Sequence, residues 1–165
     1  MSYTESIANK AQALGELLSL QGGCVAAAES CTGGWLSKAI TDIAGSSAWF
    51  ERGFVTYSNQ AKREMLGVPE LIFHEHGAVS EACVLAMADG ALNHSQAVFS
   101  VAISGIAGPG GATPDKPVGT VWLAWAQRGG DALARRYVFA GDREAVRAQA
   151  VIAGLDGLLG LIKAC

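Results

Sequence analysis

Two candidate nucleophiles stand side by side where the hydroxyl of Ser30 precedes the thiol of Cys31. The apolar run 24–28 before them predicts a short buried strand, and residues 35–40 after them predict a helix. Ligands of open α/β sheets bind at the carboxyl ends of strands, and the free N–H groups in the first turn of a helix favour negative charge. This turn is therefore a candidate site in which a nucleophile lies beside N–H donors for an oxyanion.

A serine nucleophile needs a base, and none of the three histidines falls near this turn, so a Ser-His-Asp triad is not favoured. Lys62 is the better candidate because it lies in the first turn of a predicted helix, where the helix dipole lowers the pKa of a cation. A neutral lysine near pH 7 takes a proton from Ser30, and Tyr57 either relays that proton or holds the lysine. The competing interpretation makes Lys62 a solvated surface residue and Tyr57 a core aromatic residue.

Cys31 is a rival nucleophile, because a helix N-terminus lowers the pKa of a thiol. The commoner role of a free cysteine is that of a small buried hydrophobic residue. Thr32 either contacts a substrate or serves as a helix N-cap. Gly33 and Gly34 either face a ligand or only permit tight helix packing, and the residue types leave these alternatives open.

A glycine-rich loop at 104–111 follows the third predicted strand and offers backbone N–H groups to a phosphate. It is neither a GxGxxG fingerprint nor a P-loop, and a plain flexible loop is the alternative. Arg143, near the start of the last predicted helix, adds a guanidinium suited to phosphate, unless it is only a surface charge. Because parallel strands end at one edge of a sheet, the polar clusters at 29–34, 57–62 and 104–111 are expected to lie together.

The composition is that of a single well-packed domain covering residues 1–165, with 50% hydrophobic and 16% charged residues. A net charge of −3 gives nucleic-acid binding no support. No uncharged apolar run reaches the roughly 18 residues of a membrane span. Because the N-terminus also lacks the features of a signal peptide, a cytoplasmic protein is predicted. The four cysteines form no CxxC pair and the histidines no HExxH pattern, which predicts reduced thiols and no metal site.

The hydrophobic periodicity predicts helices alternating with strands, followed by one β-hairpin. Ser58 or Asn59, Ser80 and Asp142 are predicted helix caps, and 69–77 is predicted to be a connector. The fold class is a three-layer α/β/α sandwich with a mixed, mainly parallel five-stranded sheet, whose strand order the pattern does not specify. Helices are predicted at about 4–20, 35–43, 59–66, 81–92 and from 143 to the C-terminus, and strands at 24–28, 54–57, 97–103, 118–127 and 132–139.

Six short segments, distributed over nearly the whole chain, form an ordered set of motifs. They are Ala28-Glu29-Ser30-Cys31-Thr32-Gly33-Gly34, Gly53-Phe54-Val55-Thr56-Tyr57-Ser58-Asn59 with Lys62, His76-Gly77-Ala78-Val79-Ser80, Ser104-Gly105-Ile106-Ala107-Gly108-Pro109, Lys116-Pro117-Val118-Gly119-Thr120-Val121 and Gly141-Asp142-Arg143. The set resembles the CinA C-terminal domain family, in its stand-alone nicotinamide-nucleotide amidohydrolase form. The resemblance implies hydrolysis of the carboxamide of nicotinamide mononucleotide to nicotinate mononucleotide and ammonia, in pyridine-nucleotide recycling, without metal or cofactor.

By motif, the resemblance implies Ser30 as the nucleophile, Lys62 as the general base and Tyr57 as a partner in proton transfer. It also implies an anticodon-binding-domain-like sheet and a homodimer. The net charge and the lengths of the apolar runs predict no nucleic-acid or membrane partner. Two rival functions stay open: a nucleotide-binding module without catalysis, and a hydrolase that uses the Cys31 thiol. The residues expected to bind the substrate are Thr32, Gly33, Gly34, Ser104, Gly105 and Arg143.

Overall fold

A five-stranded mixed sheet forms the middle layer of the protein, whose computed structural model describes residues 1–165. The strands are β1 (Val25–Glu29), β2 (Phe50–Val55), β3 (Phe99–Gly105), β4 (Thr120–Gln127) and β5 (Ala132–Val138). They lie in the order β2-β1-β3-β4-β5. β1 is parallel to β2 and β3, whereas β4 is antiparallel to both β3 and β5, so four of the five strands run in one direction.

Six α-helices cover the two faces of this sheet and confirm the predicted three-layer sandwich. They are α1 (Tyr3–Gln21), α2 (Trp35–Thr41), α3 (Asn59–Leu66), α4 (Glu70–Glu75), α5 (Glu81–Asn93) and α6 (Arg143–Lys163). α1, α2 and α6 build a core of 25 buried residues on one face. On the other face α3 and α5 build a core of 15, with α4 packed beside α5.

Strand β1, which lies between β2 and β3, contributes side chains to both cores. Val25 and Ala27 point into the larger core, and Ala26 and Ala28 point into the smaller one. Successive side chains of a strand face opposite sides of the sheet, so a strand covered on both faces is apolar throughout. β1 therefore ends abruptly at its first polar residues, which is where the candidate site begins.

Two elements differ from the sequence prediction. The second strand spans Phe50–Val55 rather than 54–57, so Tyr57 lies beyond its end. β2 is an edge strand with several exposed residues, and its hydrophobic signal is therefore weak. The predicted connector at 69–77 contains the short helix α4, because two partly buried residues within it, Ile72 and Phe73, pack against the smaller core.

Helix α6 is long and apolar enough to cross a membrane, judged by length and composition. In this fold its apolar face packs against the sheet and α1, where Val151, Leu155 and Leu158 are fully buried. Asp142 caps its start by accepting a hydrogen bond from the Ala145 backbone N–H, as the sequence predicts. The helix is thus a core element that carries Arg143 to the edge of the sheet.

Candidate active site

The polar residues that follow the three parallel strands line one cavity of about 290 Å³. The end of β1 contributes Ser30 and Cys31, and the end of β3 contributes Ser104 and Gly105. The expectation that these strand ends lie together is confirmed. The other lining residues are Tyr57, Asn59 and Lys62 after β2, Ala78 and Val79 before α5, Ala107, and Arg143 at the start of α6.

Ser30 and Lys62 are in direct contact at the bottom of this cavity. The Lys62 Nζ lies 3.0 Å from the Ser30 Oγ and donates to the Thr56 carbonyl oxygen, also at 3.0 Å. Lys62 is 1% exposed and Ser30 is 8% exposed. The interpretation of Lys62 as a solvated surface residue is therefore wrong, and no histidine lines the cavity.

Burial lowers the pKa of the Lys62 amine, because removing an ammonium from water destabilises its charged form. No carboxylate forms a salt bridge with it, and its only oxygen partners are one hydroxyl and one carbonyl. A neutral amine suits these partners, since it donates to the Thr56 carbonyl and accepts the Ser30 O–H. An ammonium has no lone pair, so it could only donate to the Ser30 oxygen and could not accept its proton. The site can therefore transfer the serine proton to nitrogen.

The Cys31 thiol is poorly suited to nucleophilic attack in this environment. It is 6% exposed, and burial raises its pKa to about 11 despite the nearby Arg147 guanidinium. Cys83, fully buried close to Lys62, also has its pKa raised to about 11 by burial. The thiolate is the reactive form of cysteine, so both side chains are protonated at neutral pH and behave as small hydrophobic residues.

The buried carboxylate of Glu29 anchors the turn that carries Ser30, a role that the sequence analysis missed. Its Oε1 accepts from the Thr32 hydroxyl at 2.7 Å and from the Leu36 N–H at 2.9 Å. Its Oε2 accepts from the Ser37 N–H at 2.9 Å and from the Ser37 hydroxyl at 2.7 Å. The signal for this role was a carboxylate at the end of a buried strand, just before a helix N-terminus that favours anions.

Three predicted substrate-binding residues of this turn do not line the cavity. Thr32 is fully buried and is not the N-cap of α2, a position that Gly34 occupies. Gly33 and Gly34 have φ angles of +58° and +98°, a region that side chains other than glycine rarely adopt. The two glycines are thus needed for the backbone conformation of the turn, a role that the sequence analysis did not name.

Ser104 and Gly105 lie at the cavity, yet their contacts are with the protein. The Ser104 hydroxyl donates to the Ala78 carbonyl oxygen at 2.8 Å and so ties the end of β3 to the loop before α5. A Cβ on Gly105 would lie 2.6 Å from the Val121 side chain, so a glycine is needed for the close approach of β4. The sequence analysis did not single out Asn59, Ala78 and Val79 as site residues, although all three lie in segments that carry the motifs.

Tyr57 and Arg143 form the mouth of the cavity. Tyr57 is 63% exposed, so its interpretation as a core aromatic residue is wrong. Its hydroxyl accepts from the Arg143 Nη2 at 3.2 Å, and the Arg143 Nη1 donates to the Gly108 carbonyl oxygen at 2.8 Å. Arg143 thus bridges the end of β2 and the glycine-rich loop. No acidic residue lines the cavity, so this end favours an anionic group.

Comparison with known proteins gives a consistent result. Residues 7–162 match the model of the CinA C-terminal domain. The chain is 58% identical over 145 residues to a protein of Escherichia coli K12 named nicotinamide-nucleotide amidohydrolase PncC, covering 88% of each chain. It is 56% identical over 157 residues to a protein of that name from Pseudomonas putida, covering 95% of this chain and 98% of the other. The crystal structure of a competence/damage inducible protein, CihA, from Agrobacterium tumefaciens superposes with a TM-score of 0.93 at 45% identity, covering 94% of this chain and 95% of that one.

Proposed function

The chain belongs to the CinA C-terminal domain family, and we propose that it is an amidohydrolase acting on nicotinamide mononucleotide. The products are nicotinate mononucleotide and ammonia, and the reaction recycles pyridine nucleotides. The names of the relatives at 55–58% identity support this substrate. The observation that carries the chemistry is the buried Lys62 Nζ at 3.0 Å from the Ser30 Oγ, without a carboxylate partner.

The proposed reaction proceeds through an acyl-enzyme. Lys62 takes the proton of Ser30 while the serine oxygen forms a bond to the amide carbon, and the amide carbonyl becomes an oxyanion. When the carbon–nitrogen bond breaks, the Lys62 ammonium returns its proton to the leaving nitrogen, which departs as ammonia. Water then attacks the ester with the neutral Lys62 as base, releasing the carboxylate and restoring the Ser30 hydroxyl.

Backbone N–H groups of the turn after Ser30 are the proposed oxyanion donors. The N–H of Ser30 is already bound to the Ile103 carbonyl oxygen, and that of Gly33 to the Ser30 carbonyl oxygen. The N–H groups of Cys31 and Thr32 donate no hydrogen bond within the protein, and Cys31, unlike the fully buried Thr32, lines the cavity. The Cys31 N–H is therefore the foremost candidate donor. One such donor accelerates a reaction by about 10²–10³-fold.

The nucleotide phosphate is proposed to bind at the cavity mouth. Arg143 is the one permanently charged residue of the lining, and it stands beside the glycine-rich loop. Tyr57 donates or accepts through its hydroxyl there, and this hydroxyl bonds Arg143 rather than Lys62 or Ser30. This contact favours a role for Tyr57 in positioning Arg143, while its part in proton transfer stays a prediction, as do the homodimer and the cytoplasmic location.

A pair of adjacent variants tests the proposal against its two rivals. Ser30→Ala should lower the rate of ammonia release from nicotinamide mononucleotide by about 10³-fold or more, because the covalent step is lost. Cys31→Ala should keep most of the activity, because the thiol is buried and protonated. No ammonia from the unmodified protein would favour a non-catalytic nucleotide-binding module. Activity lost in Cys31→Ala and kept in Ser30→Ala would instead identify a thiol enzyme.

A further inference from the structure

Arg147 lies four residues after Arg143 on α6 and donates hydrogen bonds to the turn that carries Ser30. Its Nε donates to the Cys31 carbonyl oxygen at 3.0 Å, and its Nη2 donates to the Thr32 carbonyl oxygen at 3.1 Å. The guanidinium carbon lies 5.3 Å from the centre of the Trp35 ring, a distance at which a cation is attracted to the ring face. Arg147 forms no salt bridge, so its positive charge is stabilised by these two carbonyl groups and the indole ring.

The two contacts fix the direction of the next N–H groups. A trans peptide is planar, and its C=O and N–H bonds point in opposite directions. The contact at the Cys31 carbonyl therefore turns the Thr32 N–H away from Arg147, and the contact at the Thr32 carbonyl does the same for the Gly33 N–H. The latter donates to the Ser30 carbonyl oxygen at 3.0 Å, while the Thr32 N–H has no partner within the protein.

We propose that Arg147 is a positioning residue for the oxyanion of the reaction, because it holds the turn in which Cys31 lines the cavity with a free N–H group. The proposal rests on the proposed function and deepens it. Among the N–H groups of this turn, that of Cys31 lacks a partner within the protein and belongs to a residue that lines the cavity. Glu29 holds the turn through Thr32 and the N–H groups of α2, and Arg147 holds it through carbonyl groups. The turn is thus clamped before a substrate arrives, as electrostatic stabilisation of a transition state requires.

Kinetics of Arg147 variants give the first test. Arg147→Met should lower kcat for nicotinamide mononucleotide by about 10²-fold with little change in KM, because the oxyanion that the turn stabilises forms only in the transition state. Arg147→Gln keeps one planar donor group without the charge, so its kcat should lie between those of the wild type and Arg147→Met. Arg135→Met is the matched control, since Arg135 is exposed on β5, away from the cavity. Unchanged kcat in both Arg147 variants would overturn the proposal.

Binding of pyridine-3-boronic acid separates an oxyanion effect from a general loss of structure. Ser30 Oγ forms a bond to boron, the serine proton passes to Lys62, and the boron keeps both hydroxyls and becomes a tetrahedral anion. Arg147→Met should weaken this adduct by about the same factor as kcat, and leave the Kd of nicotinate mononucleotide within about threefold. Equal weakening of both ligands, or a loss that follows the unfolded fraction in thermal melts, would overturn the proposal.

The proposed substrate and the proposed role of Arg147 can be contradicted separately. A protein that binds the boronic acid but releases no ammonia would contradict the proposed substrate, and the boronate measurement would still test Arg147. An unchanged rate of ammonia release in Arg147→Met would overturn only the role of Arg147. If Arg147→Met does not fold, Arg147→Gln decides, with an adduct at least about tenfold weaker expected and an unchanged Kd contradicting it.

Discussion

At the scale of single residues, burial enables the Lys62 amine to act as a base. The same loss of water around the amine costs folding free energy. The amine is removed from water without a counterion, so its pKa falls and its neutral form gains population near neutral pH. The neighbouring Cys31 and Cys83 provide no anion there, because burial raises the pKa of each thiol to about 11. Lysine can serve as a base here because its surroundings destabilise the ammonium.

The pH profile of hydrolysis should report this amine. If neutral Lys62 is the base, kcat/KM rises with pH along a limb whose midpoint lies below the usual lysine pKa of 10.5. Lys62→Met should lower kcat by about 10²–10⁴-fold and remove the limb. Lys38→Met, at an exposed position on α2, is the control that should keep both the rate and the limb. A limb that survives in Lys62→Met would assign it to another group.

The same amine should make stability depend on pH in a predictable direction. Between the lowered pKa of Lys62 in the folded state and the usual 10.5, the unfolded chain binds more protons than the folded chain. The free energy of unfolding therefore rises with pH in this window. Urea unfolding should show the wild type gaining stability relative to Lys62→Met as pH rises. A constant difference between pH 7 and 10 would contradict a lowered pKa.

At the scale of elements, the seven-residue helix α2 shows which features a sequence reveals and which it hides. Its approximate span was predictable, because an apolar strand, a polar turn and a helical pattern follow one another. Its anchor was not, because Glu29 reaches Leu36 and Ser37 only after two glycines with positive φ turn the chain back. The ends of the edge strand β2 were predicted wrongly for a related reason. Pairing with β1 defines these ends, and the hydrophobic pattern of β2 does not.

Replacement of Glu29 by glutamine tests this anchor. The amide of Glu29→Gln presents donors where the Leu36 and Ser37 groups already donate, so at least one buried N–H loses its partner. The expected loss is about 2–3 kcal/mol in the free energy of unfolding, together with a lower kcat. Chemical denaturation and ammonia release measure the two effects. Glu16→Gln, on the exposed face of α1, should change stability by less than about 0.5 kcal/mol, and an equal loss there would refute a special role for Glu29.

At the scale of the whole molecule, the candidate site depends on how distant segments are assembled. Tyr57 and Arg143 are 86 positions apart in the chain and meet because α6 packs close to the sheet. A Cβ on Gly157 would lie 2.0 Å from the Trp125 ring, so only glycine permits this approach. The alternation of elements predicted the layers, and parallel packing predicted that the strand ends converge. The strand order was not predictable, because pairing between distant strands leaves no local pattern.

Because this assembly joins separate elements, ligand binding at the cavity mouth should stabilise the fold as a unit. Nicotinate mononucleotide at about 100 times its Kd should add about 2.7 kcal/mol, or about 5–10 °C in Tm for a chain of this size. The nucleoside without phosphate, at the same concentration, should give a clearly smaller shift if Arg143 binds the phosphate. Arg143→Met should reduce the nucleotide shift to that of the nucleoside, while Arg135→Met should leave it unchanged. Equal shifts in Tm from the nucleotide and the nucleoside in the wild type would mean that the phosphate binds elsewhere or contributes nothing. The exposed arginine and tyrosine at the cavity mouth would then have a role other than phosphate binding.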